Sequence, residues 1–176
     1  MEFLTDFFIL VFLMALTAYI VNEVIYKVKI YVYKESDKAV VPETAYRGTS
    51  AAFDITATET ITIPAKKSAI VPNDLRLTIN QTDPYYMFVQ LRSSMGFKRD
   101  LVPHAGVIDA GYTGPLGIKI YNLGDEDVVI ESGTKFAQIL VLPKVPFKFK
   151  EINRQEFIAL ERSQERGSKG FGSSGK

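Results

Sequence analysis

The chain has 176 residues, enough for one compact domain, and its 21 Lys and Arg nearly balance its 20 Asp and Glu, so its overall charge does not indicate a nucleic-acid partner. It has no Cys, which excludes disulfides, thiolate nucleophiles and Cys-ligated zinc, and its single His, His104, excludes a multi-histidine metal site. Any chemistry therefore depends on carboxylates, hydroxyls, Arg, Lys and, if a metal takes part, a hard cation held through oxygen atoms.

The first segment, residues 1–25, is a hydrophobic leader. It contains the uncharged run FFILVFLMALTAYIV over residues 7–21. Together with the apolar residues just before it, this run spans ~28 Å as a helix, close to the thickness of a bilayer core. Glu2 and Asp6 lie near its start and several Lys residues follow it, which favours a membrane anchor over residues 3–25 with the rest of the chain in the cytoplasm.

Two alternatives to a membrane anchor are open. The leader can instead pack as a hydrophobic helix on the domain or on a partner, in which case the chain is cytoplasmic. A cleaved signal peptide fits less well, because the start of the chain is acidic rather than basic.

Residues 26–163 have the pattern of an all-β domain. Apolar residues alternate with Lys and Tyr over residues 28–33, which is the period of a half-buried strand. Further short segments rich in Ile, Val, Thr and Tyr are separated by turn formers, which predicts a β-sandwich, jelly roll or barrel, and only residues 154–162 have a helical pattern. The predicted strands are residues 60–63, 68–71, 75–79, 86–91, 117–121, 127–130 and 136–142.

The last segment, residues 164–176, is rich in Gly and Ser and reads RGSKGFGSSGK from Arg166. Such a composition predicts a flexible tail when nothing is bound. Arg166, Lys169, Ser173 and Ser174 are donors suited to phosphate oxygens.

A second candidate for phosphate binding follows the predicted strand 86–91. Residues 92–96 read RSSMG, in which the Arg92 guanidinium can fork onto phosphate oxygens and the Ser93 hydroxyl can donate a hydrogen bond. Taken alone, this pentapeptide is more simply interpreted as a surface turn.

The segment that most specifically indicates a catalytic site is GVIDAGYTG over residues 106–114. An acid after an apolar strand, followed by glycines around a Tyr, predicts a tight hairpin that presents Asp109 and Tyr112 together. The glycines allow a flat ligand to approach the backbone, Asp109 can serve as a general base, and Tyr112 can serve as a stacking platform. Residue types alone leave this interpretation and a decorated hairpin equally supported.

Two further features complete the set of candidates. Residues 133–138, GTKFAQ, begin a strand with a cation and end it with the amide of Gln138. Asp54 is an acid among apolar neighbours, which fits either a buried hydrogen-bonded carboxylate or a residue near a metal.

These segments resemble, in order, the five motifs of the homotrimeric dUTPase family, a branch of the dUTPase and dCTP deaminase superfamily. The motifs match GTSAAFDI at residues 48–55, then residues 92–96, 106–114 and 133–138, and finally residues 166–175. The resemblance covers nearly all of the chain except the leader, and residues 106–114 are its most specific part. It implies a distorted jelly-roll or β-barrel fold.

The resemblance also implies Mg²⁺-dependent hydrolysis of dUTP to dUMP and pyrophosphate in a homotrimer whose active sites combine motifs from three subunits. Asp109 would orient the water that attacks the α-phosphorus, and Asp54 would support the water shell of the metal. Tyr112 would exclude a 2′-hydroxyl, and the tail would close over the substrate. The residues assigned to substrate are Arg92, Ser93, Ser94, Gly106, Ile108, Tyr112, Gln138, Arg166, Phe171, Gly172, Ser173 and Ser174.

One alternative comes from the same superfamily, since trimeric dCTP deaminases, including bifunctional deaminase–dUTPases, also carry an Arg-Ser-Ser segment. A deaminase needs a carboxylate on the strand after the hairpin, and the corresponding residue here is Lys119. Three residues depart from the usual dUTPase pattern: Gly111 replaces an acid, Lys135 replaces an Arg and Lys169 replaces a Gly.

A second alternative is a non-catalytic, membrane-tethered module that binds a nucleotide and signals. The presence of Asp109, Tyr112 and the tail together argues against it, because binding alone does not require a water-activating acid.

Overall fold

The computed structural model describes residues 2–20, 28–104 and 106–164, whose strands and helices follow one another along the chain with short connections. The strands are β1 (Ile30–Lys34), β2 (Glu43–Thr44), β3 (Phe53–Thr56), β4 (Ile61–Ile63), β5 (Ser68–Ile70), β6 (Leu75–Ile79), β7 (Tyr85–Leu91), β8 (Leu101–His104), β9 (Val107–Ile108), β10 (Lys119–Asn122), β11 (Val128–Ile130) and β12 (Lys135–Pro143). The helices are α1 (Glu2–Ile20), α2 (Ser93–Arg99) and α3 (Arg154–Ser163), with a 3₁₀ turn at Tyr46–Gly48.

Residues 2–20 of the hydrophobic leader form α1, and large apolar side chains on it, among them Phe8, Phe12 and Met14, are exposed. Residues 21–25 of the predicted anchor lie outside the described residues. The part of α1 without charge begins after Asp6 and reaches only ~21 Å, short of the ~30 Å of a bilayer core. Within the described residues, no helix is long and apolar enough to span a bilayer. The predicted transmembrane anchor, and the membrane localisation that depended on it, are therefore not supported.

A five-stranded antiparallel sheet with the order β2-β3-β12-β7-β9 organises the domain. Its central strand, β12, pairs on one side with β3, where Gln138 lies opposite Asp54, and on the other side with β7, where Ala137 lies opposite Leu91. Smaller sheets are formed by β5-β10-β8, by β1-β6 and by β11-β4. This order brings together segments that are far apart in the sequence.

Among the described residues, the buried hydrophobic side chains are aliphatic or Met, apart from Phe136. Phe136 on β12 is fully buried together with Ile55, Ile79, Met87 and Ile120 from other strands. In β6 the side chains alternate between buried and half-buried, as the sequence predicts. Burial of this continuous apolar layer is the main force that holds the strands together.

The chain divides into two units, Met1–Lys144 and Val145–Lys176. In the second unit, the predicted helix at residues 154–162 is confirmed as α3. It begins with a capping box, in which the Asn153 side chain accepts from the N–H groups of Gln155 and Glu156 while Glu156 accepts from the N–H of Asn153.

The structure differs from the sequence prediction after β7. Residues 92–96 do not form a simple turn, because Ser93 begins helix α2, which ends at Asp100 in the left-handed conformation. The sequence prediction also misses β2, β3 and β8. The short α2 extends β7 without a loop, so Arg92 is held directly at the end of a sheet strand.

Candidate active site

The first part of the site is an ion cluster around Asp54 on β3. Its carboxylate is 8% exposed, and its Oδ2 atom lies 2.5 Å from Nη1 of Arg92 and 3.4 Å from Nζ of Lys135. No donor in the described part of the chain makes a well-aligned hydrogen bond to Oδ2, so the two cations compensate its burial through charge. Because the cluster combines one carboxylate with two cations, it has one positive charge in excess.

Strand pairing explains why these side chains meet. The N–H of Arg92 donates to the carbonyl of Phe136, which fastens the end of β7 to β12. Gln138 lies directly across from Asp54, and its side-chain amide donates to the carbonyl of Leu91 at 3.3 Å. Arg92, Lys135 and Gln138 thus border one carboxylate, with both cations partly exposed to a ligand.

The two serines that follow Arg92 are in the first turn of α2. Ser93 is exposed and Ser94 is half-buried, so Ser93 is the more accessible hydroxyl. The sequence pointed to Arg92, Gln138 and Asp54 separately but not to their contact. It noted Lys135 as the cation that begins the strand of Gln138 and as a departure from the usual Arg, but it did not predict the contact of Lys135 with Asp54.

The second part of the site is the segment that follows β9. Ile108 is half-buried at the end of this edge strand, Asp109 is exposed just after it, and the N–H of Tyr112 donates to the carbonyl of Asp109 to close a turn. A shallow depression is lined by Asp109, Tyr112, Pro115 and the apolar residues around them. Asp109 and Tyr112 are presented together by one tight turn, but the predicted hairpin does not form in the described residues, because β9 pairs with β7 and the segment after it bonds to β6.

Two glycines make this turn feasible. A Cβ on Gly106 would lie 2.6 Å from the carbonyl oxygen of Val89 and 3.2 Å from the ring of Phe88, so only glycine lets the strands approach. Gly111 has φ +82, and a Cβ there would lie 3.0 Å from the Cβ of Gln81. An acid at position 111, usual in the motif, would therefore be strained and crowded here.

The two parts of the site are separated within one chain. Asp54 is on β3 and Asp109 follows β9, which are three strand spacings apart, on the order of 14 Å across the sheet. The depression around Asp109 includes neither Asp54, Arg92 nor Gln138. One chain therefore does not bring the exposed acid and the cationic cluster around one small ligand.

The remaining residues named from the sequence lie either outside the described residues or away from the two parts of the site. Arg166, Phe171, Gly172, Ser173 and Ser174 lie outside the described residues. Lys119, on β10, pairs with His104 and has its Nζ 5.5 Å from the ring centroid of Tyr121. At the position where a deaminase needs a carboxylate, the structure has a cation on an aromatic ring.

An all-β domain with a cationic cluster around one buried acid and an exposed acid on a glycine-dependent turn is suited to a class of proteins that bind and hydrolyse polyphosphates. Comparison with known proteins specifies the class. The dUTPase family model matches residues 37–175. The deoxyuridine 5'-triphosphate nucleotidohydrolase of Solanum lycopersicum is 33% identical over 144 residues, covering 82% of this chain and 80% of that protein. The one from Clostridium novyi is 30% identical, covering 84% of this chain and 99% of that protein.

Solved structures agree with the sequence comparisons. The dUTPase of Staphylococcus bacteriophage 80alpha, solved with dUPNHPP, has a TM-score of 0.72 and 29% identity, covering 84% of this chain and 99% of that one. A variant dUTPase from phage phi11 of S. aureus, described with a structural Mg(II) ion, has a TM-score of 0.65 and 26% identity, covering 72% of this chain and 97% of that one. The chain belongs to the dUTPase family. This confirms the predicted family, the distorted jelly-roll type of fold and the enzyme class, a dUTP diphosphatase.

Proposed function

We propose that this protein hydrolyses dUTP to dUMP and pyrophosphate by attack of an Asp109-oriented water on the α-phosphorus. The observation that carries the proposal is the pairing of an exposed acid on a glycine-dependent turn with a separate cationic cluster that has one positive charge in excess. In this reaction the water oxygen forms a bond to phosphorus, the α,β-bridging oxygen leaves with the pyrophosphate, and Asp109 accepts a proton from the water.

The cationic cluster is suited to the triphosphate. Arg92 is partly exposed beside the buried Asp54, so its guanidinium can keep one contact to the carboxylate while its other N–H groups donate to phosphate oxygens. The Ser93 hydroxyl, the half-buried Ser94 and the Gln138 amide are further donors at the same end of the sheet. Positioning and charge neutralisation of this kind are the main contributions that a protein makes to phosphoryl transfer.

The segment after β9 is suited to the nucleoside. The ring of Tyr112 is about half exposed and would lie against the deoxyribose, where a 2′-hydroxyl would clash. Gly106 and Ile108 lie along the edge of the sheet at β9 and would offer backbone groups to the uracil edge, while the Gly106 carbonyl itself accepts from the N–H of Val89. Selectivity for the base then depends on backbone groups rather than on side chains.

The donor set fits Mg²⁺ only indirectly. Mg²⁺ is commonly held through one or two carboxylates, several waters and the phosphates of the substrate. The described residues contain no cluster of three or more His, Cys, Asp or Glu side chains that could hold a metal. Asp54 has two cations at Oδ2, so it would act through a metal-bound water. When bound, the ion would neutralise charge on the phosphate oxygens.

The separation of the two parts of the site supports a homotrimer with shared active sites. The Asp54 cluster of one subunit and the Asp109 turn of another would face the same substrate, since one chain places them on the order of 14 Å apart. The C-terminal segment 164–176 would close the site, with Arg166, Ser173 and Ser174 on phosphates and with Phe171, followed by Gly172, on the base. Residues 26–163 would form the catalytic domain.

The test is release of pyrophosphate from dUTP by the full chain, with dCTP, dTTP and UTP as controls and with the Asp109→Ala variant. We expect turnover of dUTP far above that of the other three nucleotides and loss of that turnover in the variant. Absence of pyrophosphate from the wild-type protein, or undiminished release by Asp109→Ala, contradicts the proposal. Ammonia released from dCTP would instead identify a deaminase.

A further inference from the structure

The turn that carries Asp109 and Tyr112 is attached to strand β6 at both of its ends. The N–H of Gly111 donates to the carbonyl of Ile79, and the N–H of Leu116 donates to the carbonyl of Leu75, each at 2.8 Å. Between these two bonds lie residues 112–115, and an isolated bridge joins Arg76 to Pro115. Strand β6 is therefore the support on which this turn is held.

One side chain of β6 extends this support to the tip of the turn. Nη1 of Arg76 donates to the carbonyl of Thr113 at 3.3 Å, while its Nε donates to Oε1 of Glu35 at 2.7 Å. Glu35 is itself fixed, because its N–H donates to the carbonyl of Asp74 at 2.8 Å. The planar guanidinium is required for this arrangement, since it donates in two directions at once.

The same short loop determines the position of the Tyr112 ring. Its hydroxyl donates to the carbonyl of Pro115 at 3.1 Å, so the ring folds back over the tip. A Cβ on Gly114 would collide with that hydroxyl, which shows how closely the ring and the loop are packed. Thr113 lies between Tyr112 and the residues that its ring packs on, so we expect a shift of the Thr113 carbonyl to move the ring.

We propose that Arg76, oriented by Glu35, is a positioning residue that fixes the Thr113 carbonyl and with it the Tyr112 ring, and thereby sets the preference for deoxyribose over ribose. This inference rests on the proposed function, in which Tyr112 lies against the sugar. The Arg76 and Glu35 side chains are 40% and 34% exposed, and ion pairs exposed to this extent contribute little to stability. The effect of Arg76 is therefore on the sugar preference rather than on folding.

The test compares kcat/KM for dUTP and for UTP in the wild-type protein and in Arg76→Met. A displacement of about 1 Å can cost ~100-fold in rate, and we expect a smaller shift, with the dUTP-to-UTP ratio falling about 10-fold. Glu35→Gln, which keeps the shape but loses the charge, should produce part of this loss. The dUTP-to-UTP ratio of Arg76→Lys should also lie between those of Arg76→Met and wild type, because a single ammonium cannot donate in both directions.

Arg99→Met is the matched control. Nη1 of Arg99 also donates to a backbone carbonyl, that of Val129 at 2.8 Å, but on the side of the domain formed by α2 and β11. Hydrogen exchange gives a readout that needs no turnover. The amides of residues 110–114 should exchange faster in Arg76→Met than in wild type, and they should be unchanged in Arg99→Met.

The outcomes separate the two proposals. If wild-type protein does not hydrolyse dUTP, the proposed function fails, and the exchange experiment still decides whether Arg76 holds the turn. If wild-type protein is active but Arg76→Met keeps the dUTP-to-UTP ratio, the inference about Arg76 is wrong. An equal loss on both substrates, with faster exchange throughout the domain, would also overturn it in favour of a general structural role.

Discussion

The two acids proposed for this site are held in opposite ways. Asp54 is buried within a sheet strand, opposite Gln138 and between two cations, whereas Asp109 is exposed just beyond an edge strand. The charge of the Asp54 carboxylate is already compensated by Arg92 and Lys135, while the exposed Asp109 carboxylate is accessible to water. Under the proposed function, the buried acid would organise charge for the triphosphate and the exposed acid would perform the proton chemistry, so substitutions at the two positions should have different effects.

The largest expected effect is that of Asp109→Asn. We expect kcat to fall by ~100- to 10,000-fold, the usual contribution of a general base, because the amide cannot accept the proton of the water. Stability should stay within about 0.5 kcal/mol of wild type, since the side chain is exposed. Initial rates of pyrophosphate release and a urea melt measure the two quantities. A large loss of stability would show that Asp109 is structural and remove the contrast with Asp54.

Asp54→Ala should affect folding as well as activity. Removing this acid leaves Arg92 and Lys135 without their shared partner, and we expect a loss of about 1–3 kcal/mol in the free energy of unfolding. The value is below that of a fully buried pair because both cations are partly exposed and can rehydrate. Urea unfolding followed by far-UV circular dichroism measures it. Asp37→Ala, at an exposed acid between β1 and β2, is the control and should be neutral. Equal stabilities would contradict the cluster's role.

Gly111→Ala tests whether the exposed acid depends on a strained turn. Gly111 and Gly133 both have positive φ, but a Cβ would meet Gln81 only at Gly111 and nothing within 4 Å at Gly133. We expect a loss of about 1–2 kcal/mol at Gly133 from the left-handed conformation alone, and a larger loss at Gly111. Gly117→Ala, with neither feature, is the second control. Thermal melts of the three variants rank their losses of stability. Equal losses for the variants at Gly111 and Gly133 would contradict crowding by Gln81.

The strands can be predicted from the sequence where buried and half-buried side chains alternate along them. Strand β6 has the predicted bounds because every second side chain is buried, which gives the pattern a period of two. Strand β3 lacks that signal, since Asp54, Ile55 and Thr56 are consecutive and all buried. Strand β8 contains Pro103, which removes a ladder donor and is tolerated here because β8 is at the edge of its sheet.

The site is less predictable than the fold because its contacts cross the sheet. The residues of the Asp54 cluster lie in three separate segments of the sequence, and only the strand order β3-β12-β7 brings them together. A sequence pattern gives the type of each residue but not that order. The contact by which Arg76 supports the Asp109 turn cannot be predicted from the sequence for the same reason. Arg76 belongs to a strand whose sequence pattern predicts only core packing.

The smallest expected effect is at Lys135, where the cluster departs from the usual arginine. Lys135 contacts Asp54 at 3.4 Å and its side chain is about half exposed, so its charge is screened and is worth at most about 1 kcal/mol, or roughly fivefold. We expect Lys135→Met to raise KM for dUTP by about this factor at low salt, and Lys135→Arg to keep KM at or below wild type because a guanidinium can fork onto two oxygens. Raising the ionic strength should reduce the effect of Lys135→Met on KM, since salt screens exposed charges.

Lys67→Met, at an exposed lysine in the turn before β5, is the control for Lys135→Met. If Lys135→Met and Lys67→Met have the same KM at low salt, the excess charge of the Asp54 cluster does not act on the triphosphate, and Arg92 alone supplies the charge at this end of the sheet.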